Sequence, residues 1–230
     1  MNSKLLGQHD RNVSTLDLQP LNGGLRTARQ RSRYQAIIRV TLDLLRKRGF
    51  ERTNIQSISS KSGVALATIY RYFKSRDKLI YVATGYWLDQ IALQSIPCKS
   101  DRGIGNNLTK FIRTSAKELI NEPRLLEALA RANLSADPEV VKLVRHRRPP
   151  YWLVMLPNEN LRDPLLRNDL DRMIDHVWFS GLTRWAFGQK DYDAVFADIE
   201  RVAHLVLNAY QRAMTTENAR QAASASKRRS

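Results

Sequence analysis

The sequence lacks the residues on which disulfide-rich and zinc-binding proteins depend. Its 230 residues include a single cysteine, Cys98. One thiol excludes both an internal disulfide and a cysteine-based zinc site, and a lone cysteine is typical of a reducing cytoplasm. The chain is long enough to bury a sizeable hydrophobic core. The sequence therefore predicts a globular cytoplasmic protein without a metal or other cofactor.

Long apolar runs are missing as well, and acidic residues are fewer than basic ones. No segment reaches the roughly 18 uncharged apolar residues that a membrane-spanning helix needs, and residues 1–25 contain no run typical of a signal peptide. The chain has 38 Lys and Arg against 22 Asp and Glu, a formal net charge of +16. This surplus argues against a basic partner, and it favours a polyanion or an anionic membrane surface.

The positive charge is concentrated in one part of the chain. Residues 26–80 hold fourteen Lys and Arg against three acidic residues, a net charge of +11, whereas residues 81–230 hold twenty-two against seventeen. A single exposed basic residue usually does no more than solvate a helix face. So large an excess in a short segment is typical of a surface that binds nucleic-acid phosphates. We therefore expect DNA as the partner, and no membrane.

Apolar residues recur at helical spacing along the chain, and no stretch shows the alternation of a strand, so the predicted fold is all-α. Residues 1–28 read as a disordered extension. A first helix runs from Arg29 to a stop at Gly49, and a short helix over residues 54–62, with Thr53 as its N-cap, precedes a turn at Gly63. Another short helix covers residues 65–73. This order predicts a helix-turn-helix DNA-binding domain over residues 29–75.

The second short helix of this domain carries unusual aromatic surface. Ile69 and Phe73 lie four residues apart and can face a small core, which leaves Thr68, Tyr70, Arg71 and Tyr72 to project outward. A tyrosine suits the wall of a DNA groove because its ring packs on sugar while its hydroxyl reaches a phosphate oxygen. For Tyr72 the alternative, a ring that covers the seam to the next helix, is equally favoured.

The stretch TNIQSISSKSGVALATIYRYFKSRDKL, residues 53–79, resembles the DNA-binding domain of TetR-family transcriptional regulators. The resemblance implies that Thr68 and Tyr70 contact the DNA backbone and that Arg76 grips a phosphate. It also implies that Gln56 can read a base edge, where glutamine favours adenine. The DNA-binding residues predicted in this way are Thr53, Gln56, Leu66, Ala67, Thr68, Tyr70, Arg71, Tyr72 and Arg76.

The sequence departs from the family pattern at the start of the recognition helix. Ala65, Leu66 and Ala67 stand where Ser, a polar residue and Gly are usual, so fewer hydrogen bonds to DNA begin from this turn. Leu66 or Ala67 can instead meet a thymine methyl group. Arg76 replaces the more usual lysine and keeps the charge.

Residues 76–215 read as a succession of amphipathic helices, and we expect a helical effector-binding and dimerisation domain there, followed by a disordered basic tail over residues 216–230. In the TetR family the last two helices pair with their copies in a homodimer. The alternative, that both apolar stripes lie wholly within one chain's core, is the weaker one. The predicted interface residues are Trp178, Trp185, Ile199, Val202 and Val206.

The family resemblance also implies a cavity for a hydrophobic effector. The stretches EPRLLEALARANLSADPEV and MIDHVWFSGLTRWAFG resemble the ligand domains of actinobacterial regulators of steroid and cholesterol breakdown. The effector would then be a steroid or an acyl-coenzyme A, whose phosphates could meet the basic residues 145–148. A solvated helix end explains that cluster equally well, and each candidate pocket residue alone is more often plain core. The candidates are Trp87, Phe111, Leu129, Trp152, Met155, Phe179 and Leu182.

An enzyme is a poor fit to the sequence. Of the four histidines only His176, near Asp175 and one helix from His204, could join a catalytic or metal-binding group, and no Ser or Cys stands in a recognisable signature with them. The ten glycines are scattered and form no phosphate-binding loop. The sequence thus predicts a homodimeric repressor that a hydrophobic effector releases from a palindromic operator. The alternative is an architectural protein that binds DNA without sequence preference and has no effector.

Overall fold

The computed structural model describes residues 27–95, 103–145 and 164–227, and within these ranges every regular element is an α-helix. The predicted all-α fold is confirmed. No helix among the described residues is long and apolar enough to span a membrane. The helices are α1 (Ala28–Arg48), α2 (Ile55–Ser62), α3 (Leu66–Phe73), α4 (Arg76–Ser95), α5 (Gly103–Ile120), α6 (Pro123–Asn133), α7 (Pro138–Arg145), α8 (Pro164–Ala186) and α9 (Tyr192–Lys227).

The helices form two compact units that do not follow chain order. The first unit contains α1, α2, α3, α4 as far as Leu93, α6 and α7. The second unit contains α5, α8 and α9. The DNA-binding domain predicted from the sequence ends at residue 75, whereas α4, α6 and α7 pack in one unit with the helix-turn-helix.

Helix α1 provides the core on which the first unit is built. The hydroxyl of Thr27 accepts a hydrogen bond from the Gln30 amide at 3.2 Å, and the Gln30 side chain accepts one from the Thr27 amide at 3.0 Å. This reciprocal pair satisfies backbone donors that the first turn of a helix leaves free. The helix ends at Gly49, whose φ of 75° suits glycine. Its buried stripe comprises Tyr34, Ile37, Ile38, Val40, Thr41, Leu42, Leu44 and Leu45.

In the second unit α8 and α9 pack against each other as an antiparallel hairpin, joined by the short connection at residues 187–191. A Cβ placed on Gly181 of α8 would lie 2.9 Å from Cγ1 of Val195 in α9. The missing side chain therefore permits the two helix backbones to approach closely. Helix α5 packs on α9, where Arg113 donates to Glu200 at 2.7 Å and lies over the ring of Phe196.

Helix α9 is longer than the sequence analysis predicts. It contains 36 residues and continues through Lys227, so residues 216–227 are helical and the predicted disordered tail is wrong over this range. At a rise of about 1.5 Å per residue α9 is about 54 Å long, whereas α8, with 23 residues, is about 35 Å long. The end of α9 therefore continues beyond the length that α8 can cover.

Candidate DNA-binding surface

Helix α2 starts one residue later than predicted, and this moves the cap. The Asn54 side chain accepts a hydrogen bond from the Ser57 amide at 2.8 Å, so Asn54 is the N-cap. Thr53, predicted as both cap and DNA contact, is fully buried and donates its hydroxyl proton to the Gly49 carbonyl at 2.8 Å. The structure therefore removes Thr53 from the DNA-binding residues. Gln56 lies exposed in the first turn of α2, where a base-reading side chain must be free.

Helix α3 is short because it lies between the turn at Gly63 and the turn at Lys74. Gly63 takes a left-handed conformation, with φ 66°, which ends α2, and Val64 is buried in the turn that follows. Ile69 and Phe73 are buried at 0% and 1% exposure, and they anchor α3 to α1 and α2. The other side of the helix faces solvent. Its exposed residues are Leu66, Ala67, Tyr70 and Arg71, with Thr68 half-buried beside them.

The start of α3 is open to an anionic ligand. The N-cap residue is Ala65, and no side chain caps the helix. The first amide groups of a helix have no partner within the helix and carry a partial positive charge. Leu66 is 38% exposed and Tyr70 44% exposed, so both can reach a partner placed along this helix. An uncapped, exposed helix start with basic residues nearby suits the sugar-phosphate backbone of DNA.

The structure favours the second reading of Tyr72, in which the ring covers the seam between helices. Its ring lies edge-on to Tyr34 of α1, with 5.9 Å between ring centroids, and edge-on to Phe73. Its hydroxyl oxygen is buried and has no hydrogen-bond partner among the described residues. Tyr72 therefore covers the seam between α1 and α3, with its hydroxyl buried in the single chain. Burial in the same aromatic cluster raises the pKa of the Tyr34 phenol, so this ring stays neutral.

Arg76, for which the family resemblance implies a phosphate contact, has partners within the fold. Its guanidinium donates to the carbonyl oxygens of Thr53 and Phe50 and to the carboxylate of Asp77, and it lies 4.3 Å from the centroid of the Phe50 ring. These contacts use three of its five N–H donors. Arg76 therefore holds the turn between α1 and α2 against the start of α4, and its phosphate contact stays a prediction.

Polar contacts connect the start of α6 with the end of α1, and α7 with α4. Arg124 donates to the carbonyl oxygens of Arg46 and Lys47, which are left free at the end of α1. Glu122 accepts from Arg46 at 2.8 Å, and Lys78 of α4 donates to Glu139 of α7. These contacts explain why α6 and α7 belong to the first unit.

One residue that sequence reasoning missed lies between α3 and α4. Lys74 has φ 64° and ψ −39°, and the Ser75 amide donates across it to the Phe73 carbonyl at 2.7 Å. Nothing in the sequence marks this conformation, because glycine is the usual signal for a positive φ and is absent here. The side chain of Lys74 is exposed at the end of α3.

The predicted dimer residues divide into two groups. Ile199 and Val206 are 2% and 1% exposed within a single chain, so they have no surface left for a partner and that part of the prediction is corrected. Trp178, Trp185 and Val202 are half-buried. Among the side chains of α8 and α9 that the structure describes, the large apolar ones that are exposed are Met173, at 53%, and Leu205, at 60%.

The predicted effector residues are distributed over both units. Trp87 and Leu129 are buried in the first unit, whereas Phe111 and Leu182 are buried and Phe179 half-buried in the second. Trp152, Met155 and the basic residues 146–148 lie outside the described residues. The effector pocket therefore stays a prediction. Among the described residues no group of three His, Cys, Asp or Glu side chains could hold a metal ion.

The α2–α3 pair, with its exposed and uncapped second helix, is typical of a helix-turn-helix DNA-binding protein. Two family models match the chain: "Bacterial regulatory proteins, tetR family" over residues 37–81 and "Tetracyclin repressor-like, C-terminal domain" over residues 104–206. Together they cover more than half of the chain. The chain belongs to the TetR family of bacterial transcriptional regulators.

Similar proteins agree with this membership. The HTH-type transcriptional repressor KstR of Mycobacterium tuberculosis is 28% identical over 166 residues, which cover 68% of this chain and 72% of that protein. KstR of Rhodococcus jostii is 26% identical over 184 residues, 77% of this chain and 84% of that protein. The family consists of regulators and not of enzymes, which confirms the prediction that this chain is not an enzyme.

Solved structures share the fold. A TetR transcriptional regulator from Rhodococcus sp. RHA1 matches with a TM-score of 0.65 and 20% identity over 78% of this chain and 97% of that one. Thermus thermophilus FadR, a TetR-family transcriptional repressor solved in complex with lauroyl-CoA, matches with a TM-score of 0.58 and 18% identity over 76% and 93%. At these identities the likeness confirms the helical fold alone.

Proposed function

We propose that this TetR-family transcriptional repressor acts in the cytoplasm as a homodimer that places α3 of each subunit in the major groove of a palindromic operator. The observation that carries the proposal is the division of α3 into two sides. Ile69 and Phe73 are buried, whereas Leu66, Tyr70 and Arg71 are exposed. An eight-residue helix held by two core side chains presents a rigid surface to a groove.

The second unit supports the dimer. Met173 and Leu205 are large apolar side chains that are more than half exposed in the single chain, and Trp178, Trp185 and Val202 are half-buried around the same two helices. Burial of this surface against its copy would remove it from water. A two-fold pair of recognition helices reads two half-sites about 34 to 36 Å apart, which doubles the contact that one short helix makes.

The effector we propose is a hydrophobic molecule of the acyl-coenzyme A or steroid type. Two observations support it: the structure of Thermus thermophilus FadR contains lauroyl-CoA, and two stretches of this chain resemble regulators of steroid breakdown. The effector would bind the operator-free conformation more tightly and so lower operator affinity by its coupling free energy.

The operator is tested by selection of bound duplexes from a random library, followed by titration of the enriched duplex and of a scrambled duplex of the same composition. A repressor should enrich one palindrome and bind it at least about a thousandfold more tightly than the scrambled duplex at physiological salt. Equal affinity for both duplexes would support the alternative, an architectural DNA-binding protein.

The effector is tested separately, by titration of the protein–operator complex with lauroyl-CoA, with a steroid, and with free coenzyme A as the control for the phosphates alone. We expect an apolar ligand to release the operator and free coenzyme A to have no effect. Release by none of the three would contradict the proposed effector class without affecting the operator result.

A further inference from the structure

The connection between α3 and α4 is a strained γ-turn centred on Lys74. The Phe73 carbonyl accepts from the Ser75 amide at 2.7 Å, while Lys74 itself has φ 64° and ψ −39°. A γ-turn with positive φ at its central residue is rare, because a Cβ crowds the backbone in this conformation. Hydrogen bonds on both sides of Lys74 hold this conformation in place. The Lys74 amide donates to the Tyr70 carbonyl at 2.9 Å, and the Ser75 hydroxyl accepts from the Lys78 amide.

Lysine is an unusual choice for this conformation. Among the described residues the other positions with positive φ are Gly49, Gly63 and Gly188, and Lys74 is the non-glycine exception. Glycine adopts positive φ without a steric penalty. Glycine therefore occupies the positions where only the backbone conformation matters. Position 74 retains a side chain in spite of the strain.

The fold itself makes no use of that side chain. Lys74 is exposed, and within the described residues it makes no ion pair or side-chain hydrogen bond. Its neighbours have structural tasks, since Phe73 is buried in the core and Ser75 caps α4. Strained residues that the surroundings hold in place cluster at ligand-binding sites. Contact with a ligand would therefore explain why a lysine occupies position 74.

We propose that the Lys74 ammonium binds a backbone phosphate of the operator at the end of the recognition helix. The inference rests on the proposed function, in which α3 enters the major groove. Arg71, three residues earlier and exposed, lies over the Tyr72 ring and keeps a second positive charge beside the same turn. A lysine ammonium is a compact charge that suits a phosphate oxygen. Lys74 thus offers a phosphate anchor whose side chain is free within the described part of the chain, whereas the Arg76 guanidinium already binds two backbone carbonyl oxygens.

The test combines two measurements on the full-length variants Lys74→Gln, Lys74→Ala, Lys74→Gly and Lys74→Arg. The first is the slope of log affinity against log salt for duplex DNA, which reports the number of phosphates neutralised. The second is the midpoint of unfolding in urea. Lys117→Gln, which removes an exposed lysine of α5, is the control for loss of one positive charge in general.

We expect Gln, Ala and Gly at position 74 to flatten the salt slope by about one unit per half-site, and Lys74→Arg and Lys117→Gln to leave it nearly unchanged. Lys74→Gly should unfold at a higher urea concentration than Lys74→Ala, because only glycine relieves the turn. An unchanged slope in Lys74→Gln would overturn the phosphate role, and a lower midpoint for Gly than for Ala would overturn the strain argument. The slope can be measured on any duplex, so failure to find a preferred operator would count against the proposed function alone.

Discussion

The Nε of Arg76 donates a hydrogen bond to the carbonyl oxygen of Thr53 at 2.7 Å, across 23 residues of chain. The same guanidinium donates to the Phe50 carbonyl and packs on the Phe50 ring. The residue expected to hold DNA therefore holds the turn that joins α1 to α2. Loss of Arg76 should act first on stability and only through stability on DNA binding.

Arg76→Ala should lower the free energy of unfolding by about 2 to 3 kcal/mol, because it leaves two carbonyl oxygens of the turn without a partner. Urea titration followed by circular dichroism measures this. Arg71→Ala is the control, since Arg71 is exposed and makes no hydrogen bond within the described residues. A fully stable Arg76→Ala protein with a flattened salt slope would restore the phosphate role.

Gln56→Ala should relax sequence preference at one base pair of each half-site, at a cost of about 1 to 3 kcal/mol there. The side chain is exposed in the first turn of α2, so its loss should leave stability unchanged. Selection from a random duplex library, repeated with the variant, identifies the base pair. A uniform loss of affinity for every sequence would show that Gln56 contacts the backbone instead of a base.

The dimer prediction separates exposed from buried apolar residues. Leu205→Glu should shift the protein from dimer to monomer in sedimentation while each chain stays folded, because Leu205 is exposed on the single chain. Val206→Glu should instead unfold the chain, since it places an unpaired charge in the core of the second unit. A wild-type monomer at micromolar concentration would contradict the dimer itself.

The contact between α4 and α7 should depend on pH. A hydrogen bond from Lys78, and the charge of that lysine, hold the pKa of Glu139 below its ordinary value of 4.5. A carboxyl group with a depressed pKa in the folded state stabilises the fold above its unfolded-state pKa, and this contribution is lost as pH falls through the folded-state pKa. Wild type should therefore be more stable than Glu139→Gln at pH 7, and the difference should vanish in acid.

Urea midpoints of both proteins at pH 7 and at successively lower pH check the sign. Glu118→Gln, which changes an exposed carboxylate of α5, serves as the control and should show a smaller difference at pH 7. A stability difference that grows in acid would contradict the assigned ion pair.

Helix α4 runs without a break from Arg76 to Ser95, and the boundary between the two units falls inside it, after Leu93. One residue inserted after Thr84 would rotate the remainder of α4 by about 100° relative to its first turns. We expect such a variant to bind lauroyl-CoA and operator separately but to lose release of one by the other. Circular dichroism confirms that it folds.

In the wild-type protein, ligand affinity should fall in the presence of operator by the same factor as operator affinity falls with ligand, a coupling of about 1 to 3 kcal/mol. Titration of lauroyl-CoA with and without operator duplex measures it. Identical ligand affinity in both titrations would show that α4 transmits nothing between the sites.

The order of the helices and the position of the recognition helix could be predicted from the sequence, because their signals are local. Gly49 and Gly63 end α1 and α2 where predicted, and the spacing of Ile69 and Phe73 gives the buried side of α3. The partners of Arg76 could not be predicted. They lie 23 and 26 residues away, and no periodicity carries information about them.

Two other predictions from the sequence are wrong, also for physical reasons. The apolar stripe of α9 looks continuous in sequence, and only packing shows that Ile199 and Val206 face α8 or α5 while Leu205 faces solvent. The sequence predicts a disordered tail at residues 216–230 because the end of the chain consists of small and basic residues. Alanine is the strongest helix former, and residues 219–225 contain four alanines, so the segment extends the helix that precedes it.

The absence of a side chain at Gly181 has a consequence for the engineering of hybrid regulators. Since Val195 occupies the space that a Cβ would need, the close approach of α8 and α9 at this point depends on one position on each helix. A chimera that takes α8 from one regulator and α9 from another would have to inherit both members of this pair or lose the fit between its two halves. In such a chimera α8 and α9 should therefore be kept together, so a crossover point belongs before Pro164 and not in the connection at residues 187–191.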